Sequence, residues 1–259
     1  MAAARRLGQH HRLLIADRDE KRLETQRQSL RSEGIDCSVS PCDITDRRSV
    51  CALAEHVART GPLRAIAHVA ALSPSMGDWR SIMTVNLVGA RHVEMALRPL
   101  AQPGCAAIFI SSLAAHLTDP ASEIVRLLDD PLTPEFLDEL EQILGEITPQ
   151  LAYGLSKFAV NRMCRRFAAD WGARQARIVS LSPGLIATPM GALEFRNQPA
   201  KYDLLNRTPV GREGTMVEIA DAIEFLASAR ASFISGTDLL VDGGVAAALA
   251  FPEGSASKA

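Results

Sequence analysis

Cys105-Ala106-Ala107-Ile108-Phe109-Ile110-Ser111-Ser112 decides the fold. Ala106 to Ile110 is a compact apolar run that stops at two serines, the pattern of a strand buried on both faces. Upstream, Trp79 to Leu100 reads as a long amphipathic helix ended by Pro103-Gly104. Downstream, Leu151 to Trp171 is helical, and Ile178 to Leu181 is a strand ending in Pro183-Gly184. The alternation continues outward. Leu13 to Ala16 and Ile35 to Val39 read as strands around a charged helix, Glu20 to Ser32, stopped by Gly34. Asp46 to Thr60 is a helix ended by Gly61-Pro62, and Leu63 to Leu72 is β-capable. Met216 to Ala227 is a helix and Leu239 to Val241 a last strand. This order predicts a single α/β domain, residues 1–259, with a doubly wound, mostly parallel sheet. Asp17, Asp43, Ser112 and Thr188 follow strands and are expected along the carboxyl edge, where such sheets bind ligands.

Composition narrows the function. The 259 residues are 47% hydrophobic and 22% charged, with a net charge of -2, so no electrostatic case exists for nucleic acid or an anionic membrane. No apolar run approaches the ~20 residues of a membrane span, and Met1 to Gln9 lacks the apolar stretch of a signal peptide. The five cysteines are odd in number and form no CxxC pair, which fits reduced thiols in the cytoplasm and no metal site.

Tyr153-Gly154-Leu155-Ser156-Lys157 carries the chemistry. A spacing of four puts Tyr153 and Lys157 on one helix face, one turn apart. A neighbouring ammonium is expected to lower the phenol pKa and suit it to proton transfer with a hydroxyl or carbonyl oxygen. Ser112 ends the buried strand. Asn86 sits inside an apolar helix, in Thr84-Val85-Asn86-Leu87-Val88-Gly89, where an asparagine needs a hydrogen-bonding reason.

From Leu13 to Ala247 these motifs together resemble the short-chain dehydrogenase/reductase family. The resemblance implies a Rossmann-like fold and a catalytic tetrad of Asn86, Ser112, Tyr153 and Lys157. Tyr153 would be the general acid/base and Ser112 would bond the substrate oxygen. Lys157 would lower the tyrosine pKa and hold the nicotinamide ribose, and Asn86 would anchor a water in the proton relay. Pro183, Gly184, Ile186 and Thr188 resemble the segment that packs on the nicotinamide. Asp43 with Ile44 resembles the adenine-binding pair. Asp17, at the end of the second strand of the family's order, would accept the ribose hydroxyls of NAD. Arg18 could instead pair with the 2′-phosphate of NADP; NAD is favoured.

The pattern departs from the family in three places. Only sixteen residues precede Asp17, with Gly8 the one glycine, so the first strand and the glycine-rich phosphate loop are expected to be missing. Three readings follow: a start further upstream, which is preferred; a sheet that closes differently; or a degraded relative that binds dinucleotide poorly. Second, the family's Asn-Asn-Ala-Gly segment reads His68-Val69-Ala70-Ala71, with Ala70 and Ala71 beside the cofactor and His68 as a satisfied structural histidine. Third, forty residues separate Ser112 from Tyr153. This helical insertion, 117–149, holds nine acids and one base, and its apolar stripe suits a lid or an oligomer contact. Thr133 is expected as a helix N-cap with Pro134 at the first position. The insertion resembles that of the 3α-hydroxysteroid dehydrogenase/carbonyl reductase branch. His116, just before it, reads as incidental.

The flap, 190–206, carries Leu193, Phe195, Tyr202, Leu204 and Leu205, suited to a bulky hydrophobic alcohol or ketone, steroid-like or aromatic. The expected function is hydride transfer between NAD(P) and that small molecule by a cytoplasmic homodimer or homotetramer. The competing reading is a non-catalytic scaffold that keeps the fold without binding dinucleotide.

Overall fold

The computed structural model describes residues 1–251. Among the described residues, six strands form: β1 (Leu13–Asp17), β2 (Cys37–Pro41), β3 (Leu63–His68), β4 (Ala101–Ile110), β5 (Arg177–Pro183) and β6 (Asp238–Val241). Every pairing is parallel, with β1 on β2 and a second sheet in the order β3-β4-β5-β6. The α/β, doubly wound, Rossmann-like fold read from the sequence is the fold observed.

Residue alternation along the strands explains the two helical layers. Cys105, Ala107 and Phe109 of β4 face a layer containing Val50 and Leu53 of the helix Arg47–Thr60, Val93 of Ala90–Leu97, and Val160 and Met163 of Pro149–Arg166. Ala106 and Ile108 face the opposite layer, with Leu7 of the helix Ala2–Leu7 and Ile223 and Leu226 of Met216–Ala227. Both faces of β4 are thereby covered, as its unbroken apolar run requires.

The sheet is divided between β1 and β3. Leu14 packs on the same layer as Ile66 of β3, and Leu13 on the same layer as Ala67. The two sheets therefore share both apolar layers although no ladder joins β1 to β3.

Three local expectations need correction. The long helix ends in a 3₁₀ turn at Arg98–Leu100, and Pro103-Gly104 lie inside β4. Gly104, at φ +83°, donates its N–H to the Gln175 carbonyl, and the register slips between the Leu63↔Ala101 and Ala65↔Ala106 pairs. The proline and glycine shape a bulge here and terminate nothing. The same long helix is interrupted by a π-helical segment at Thr84–Gly89. In the insertion, the second helix is Phe136–Leu144 and starts from Glu135; Thr133 donates its hydroxyl back to the Asp130 carbonyl, closing the preceding turn.

The insertion folds as Ser122–Asp129 followed by Phe136–Leu144. Ile124, Leu128, Phe136 and Leu140 are buried against Ile82, Met83, Leu87, Leu155 and Ala159. Arg162 clamps Asp129 at 2.5 and 2.8 Å, tying the insertion to the helix that carries Tyr153.

Candidate active site

The helix Pro149–Arg166 starts at Thr148, whose hydroxyl caps the Leu151 N–H, with Pro149 at the first helical position. Gly154 lets it approach the start of the insertion: a Cβ there would lie 2.4 Å from Thr118 Oγ1. Two bonds fix the helix to the carboxyl end of β4. Ser111 donates its hydroxyl to the Lys157 carbonyl at 2.9 Å, and Lys157 Nζ donates to the Ile110 carbonyl at 2.9 Å. Lys157 Nζ also lies 5.7 Å from the centre of the Tyr153 ring.

The electrostatics differ from the sequence expectation. Burial pushes the Tyr153 phenol above its ordinary 10; a hydrogen bond with Ser112 works the other way, and the charge of Glu194 adds to the rise. Burial pulls Lys157 down to about 8. Removal from water dominates both groups, because each loses more hydration than its neighbours replace. The expected lowering of Tyr153 by Lys157 is not found in the protein alone.

The Asn86 side chain makes the bonds that its buried position calls for. Its Oδ1 accepts the Leu72 N–H at 2.7 Å, and its Nδ2 donates to the Leu72 carbonyl at 3.0 Å and to Ser156 Oγ at 3.3 Å. The side chain clamps the loop after β3 to the tyrosine helix; both its N–H groups are used, and Oδ1 keeps a lone pair for a water. His68, by contrast, is not a satisfied histidine. Its Nε2 is buried without a partner, burial followed by the nearby Lys157 charge pulls its pKa to about 3, and its ring packs on Phe109 at 5.2 Å.

The remaining candidates fall in two groups. Pro183 ends β5. Gly184 bonds the Val241 carbonyl and passes so close to Asp242 that a Cβ would meet its backbone at 2.6 Å. Ile186 bridges to Gly214, and the Thr188 hydroxyl caps the Gly191 N–H at 2.9 Å, starting the flap helix Pro189–Asn197. Ala70 is exposed and Ala71 half-buried in the loop that leads to Leu72. The second group lies at the ends of β1 and β2. Asp17 Oδ1 accepts the Asp19 N–H, and its other oxygen has no partner among the described residues. The Asp43 carboxylate accepts the Thr45 hydroxyl and N–H, which hold it below the usual carboxylate range, with Arg18 adding to the effect. Ile44 is turned away from this group: its side chain packs on Gly89 and its carbonyl meets His92 Nδ1.

Two features escaped the sequence reading. His116 Nε2 lies 2.7 Å from the buried Asp238, which also accepts the Ser182 hydroxyl at 3.0 Å. Nothing in the sequence links residues so far apart. Glu194, within the flap, is buried and accepts the Ser73 hydroxyl at 2.7 Å and the Ser75 N–H at 3.1 Å. A single acid between Leu193 and Phe195 was the available signal.

The family model described as enoyl-(acyl carrier protein) reductase matches residues 1–126 and 143–246, leaving out only the middle of the insertion and the extreme C-terminus. A short-chain dehydrogenase/reductase of Alternaria brassicicola is 31% identical over 96% of this chain and 92% of its own length. The chain belongs to the short-chain dehydrogenase/reductase family. Galactitol 2-dehydrogenase (L-tagatose-forming) of Cereibacter sphaeroides is 31% identical over 90% of this chain and 84% of its own. Among solved structures, a 7α-hydroxysteroid dehydrogenase complexed with NADH and 7-oxo glycochenodeoxycholic acid superposes with a TM-score of 0.74 at 22% identity, covering 94% of this chain and 88% of the other. Membership makes an oxidoreductase the expected class. Among the described residues, no helix is long and apolar enough to cross a membrane.

Proposed function

We propose that the chain transfers a hydride between NAD(P) and a secondary alcohol or ketone. The observation that carries this reading is the cluster at the end of β4: Ser112 and the half-buried Tyr153, with the buried Lys157 Nζ 5.7 Å from the centre of the Tyr153 ring. The residues present suit the nicotinamide-ribose end of a dinucleotide. Lys157 Nζ carries three donors and meets one acceptor, the Ile110 carbonyl, and the nearby His68 Nε2 has no partner. At the adenosine end, the second Asp17 oxygen suits a ribose diol and favours NAD, whereas Arg18 is the residue that would serve NADP. Gly8 is no substitute for a phosphate loop, since a Cβ there would come within 2.4 Å of the Ile35 side chain; its role is packing.

NAD(P), when bound, would accept or supply the hydride. In the oxidising direction, Tyr153 must first release its own proton to solvent; its phenolate Oη then takes the substrate hydroxyl proton while Ser112 Oγ donates to the oxygen on which charge develops. In reduction, the raised phenol pKa holds the proton that Tyr153 delivers. Lys157 would hold the nicotinamide ribose with its free donors. Asn86 serves by fixing the loop at Leu72.

For the substrate, the rings of Phe195 and Tyr202, edge to face with centres 5.0 Å apart in the flap, support a bulky hydrophobic alcohol of the hydroxysteroid kind, in keeping with the 3α-hydroxysteroid dehydrogenase/carbonyl reductase branch. A homodimer or homotetramer in the cytoplasm completes the reading. The divided sheet supports a second one. We propose, as the alternative, a non-catalytic scaffold that keeps the fold and binds no dinucleotide; the lack of a ladder between β1 and β3 among the described residues is what favours it.

Calorimetric titration with NADH and, separately, NADPH tests these readings, followed by absorbance at 340 nm with a panel of hydroxysteroids, aromatic secondary alcohols and sugar alcohols. Micromolar NADH binding and oxidation of a hydroxysteroid are expected. Turnover of galactitol alone would replace the hydrophobic substrate with a polyol. No heat with either nucleotide would leave the scaffold reading standing.

A further inference from the structure

The flap meets the body of the protein at a buried carboxylate. Glu194 lies on the helix Pro189–Asn197, which Thr188 caps and which Gly191 allows to turn tightly; a Cβ on Gly191 would lie 2.4 Å from the Ile186 carbonyl. From there the Glu194 side chain reaches Ser73 and Ser75, about 120 residues earlier, in the loop that Asn86 clamps at Leu72. Glu194 and Ser73 are 3% and 2% exposed, so this contact exists only with the flap closed. Gln198 donates to the second carboxylate oxygen, and Lys201 Nζ lies 3.6 Å from it.

A carboxylate stays charged in such a place only if its hydrogen bonds replace water. Burial works to raise the Glu194 pKa, yet the bonds from Ser73 and Ser75 and the charge of Lys201 bring it below the ordinary value. Its charge in turn reaches Tyr153 and favours the protonated phenol.

We propose that Glu194 is a positioning residue that latches the flap, residues 190–206, onto the loop Leu72–Gly77. The proposal deepens the oxidoreductase reading and rests on it for its purpose, because a closed flap shields the reacting groups from water. Opening exposes Glu194 to water. The groups facing Tyr153 are Ser112 from the end of β4, Lys157 from its own helix and Glu194 from the flap. Those facing Glu194 are Ser73, Ser75, Gln198 and Lys201.

Two measurements test this on the full chain without substrate or nucleotide. Glu194→Ala removes the latch. Hydrogen exchange followed by mass spectrometry should then rise about tenfold to a hundredfold in residues 190–206 and 72–77, with β4 unchanged. Exchange equal to wild type in both segments would overturn the latch. Glu194→Gln keeps the shape and an oxygen acceptor but not the charge. Tyr153 and Tyr202 are the only tyrosines, so in a Tyr202→Phe background the phenolate absorbance at 295 nm reports Tyr153 alone. Read immediately after a pH jump, before unfolding, the phenolate should appear at lower pH in Glu194→Gln than in the parent. An unchanged onset would overturn the positioning role and reduce Glu194 to a structural contact. Both readouts are independent of turnover, so a failure of the latch is distinguishable from a failure of the oxidoreductase reading.

Discussion

β4 and β1 are written in the same apolar vocabulary and end differently. Cys105 through Phe109 in β4 are wholly buried, flanked by β3 and β5 and covered by helices on both faces. Leu13, Leu14 and Ile15 in β1 are only half-buried and Ala16 is exposed, because β1 has one strand neighbour. Apolar content makes a strand possible; neighbours bury it. The proposed catalytic groups Ser112, Tyr153 and Lys157 hang from the completed half, whereas Asp17, Arg18 and Asp43, proposed for the adenosine, hang from the two-stranded half. The half proposed for the chemistry is thus more deeply buried than the half proposed for the nucleotide.

The sharpest test of the more deeply buried half is Tyr153→Phe. It deletes one hydroxyl and leaves the ring packed beside Lys157. Activity towards any alcohol that the wild type oxidises should fall by about 10²–10⁴-fold at 340 nm, with an unchanged melting temperature. Retained activity would move the proton transfer to another group.

The difference between the strands can be measured directly. Phe109→Ala should cost about 3–5 kcal/mol in urea unfolding, since its ring is fully buried in the layer with Ile66 and Val160. Ile15→Ala should cost about 1 kcal/mol, because that side chain is already half in water. Equal costs would show that β1 is as well buried as β4 and that the division of the sheet has no energetic meaning.

The less buried half predicts a smaller effect. If Asp17 holds a ribose diol, Asp17→Ala should weaken NADH binding by calorimetry about tenfold, the worth of a charge-assisted hydrogen bond, and leave NADPH unchanged or improved. Loss of NADPH affinity instead would assign the selectivity to Arg18.

The sequence carried most of this contrast, by local signals. The run ending in Ser111-Ser112, the spacing of Tyr153 and Lys157, and Gly34 beyond the helix Glu20–Ser32 are local, and the fold and the cluster at β4 follow from them. What failed was long-range or energetic. Pro103-Gly104 has the composition of a helix stop, but only the partner strands decide that it bulges β4. Asn86 was singled out correctly as needing bonds, yet its partner, Leu72, is set by the loop after β3. Glu194 and His116 find Ser73 and Asp238 through tertiary packing alone. The tyrosine and lysine were read as a charge pair because sequence spacing gives proximity and says nothing of lost hydration.

That last point has a measurable consequence at Lys157, the smallest effect expected here. Burial pulls its pKa from 10.5 to about 8, a difference equivalent to about 3 kcal/mol. Between those two values the unfolded chain binds more protons than the folded one, so stability rises with pH across that window. Below about 8 the ammonium is charged in both states and the full cost is present; above 10.5 both are neutral and the cost is gone. Lys157→Met removes the cost but leaves the Ile110 carbonyl without its donor, a loss of about 1–3 kcal/mol. The net at pH 7 should be a gain of about 1 kcal/mol, or about 2–4 °C in melting temperature, in the nucleotide-free protein. At pH 10.5 the gain should disappear or reverse, leaving only the lost hydrogen bond. A variant that is destabilised equally at both pH values would mean that Lys157 is not under strain in the folded chain. The contrast between a deeply buried chemical half and a less buried nucleotide half would then lose its energetic basis at the one residue proposed to touch both the tyrosine and the cofactor.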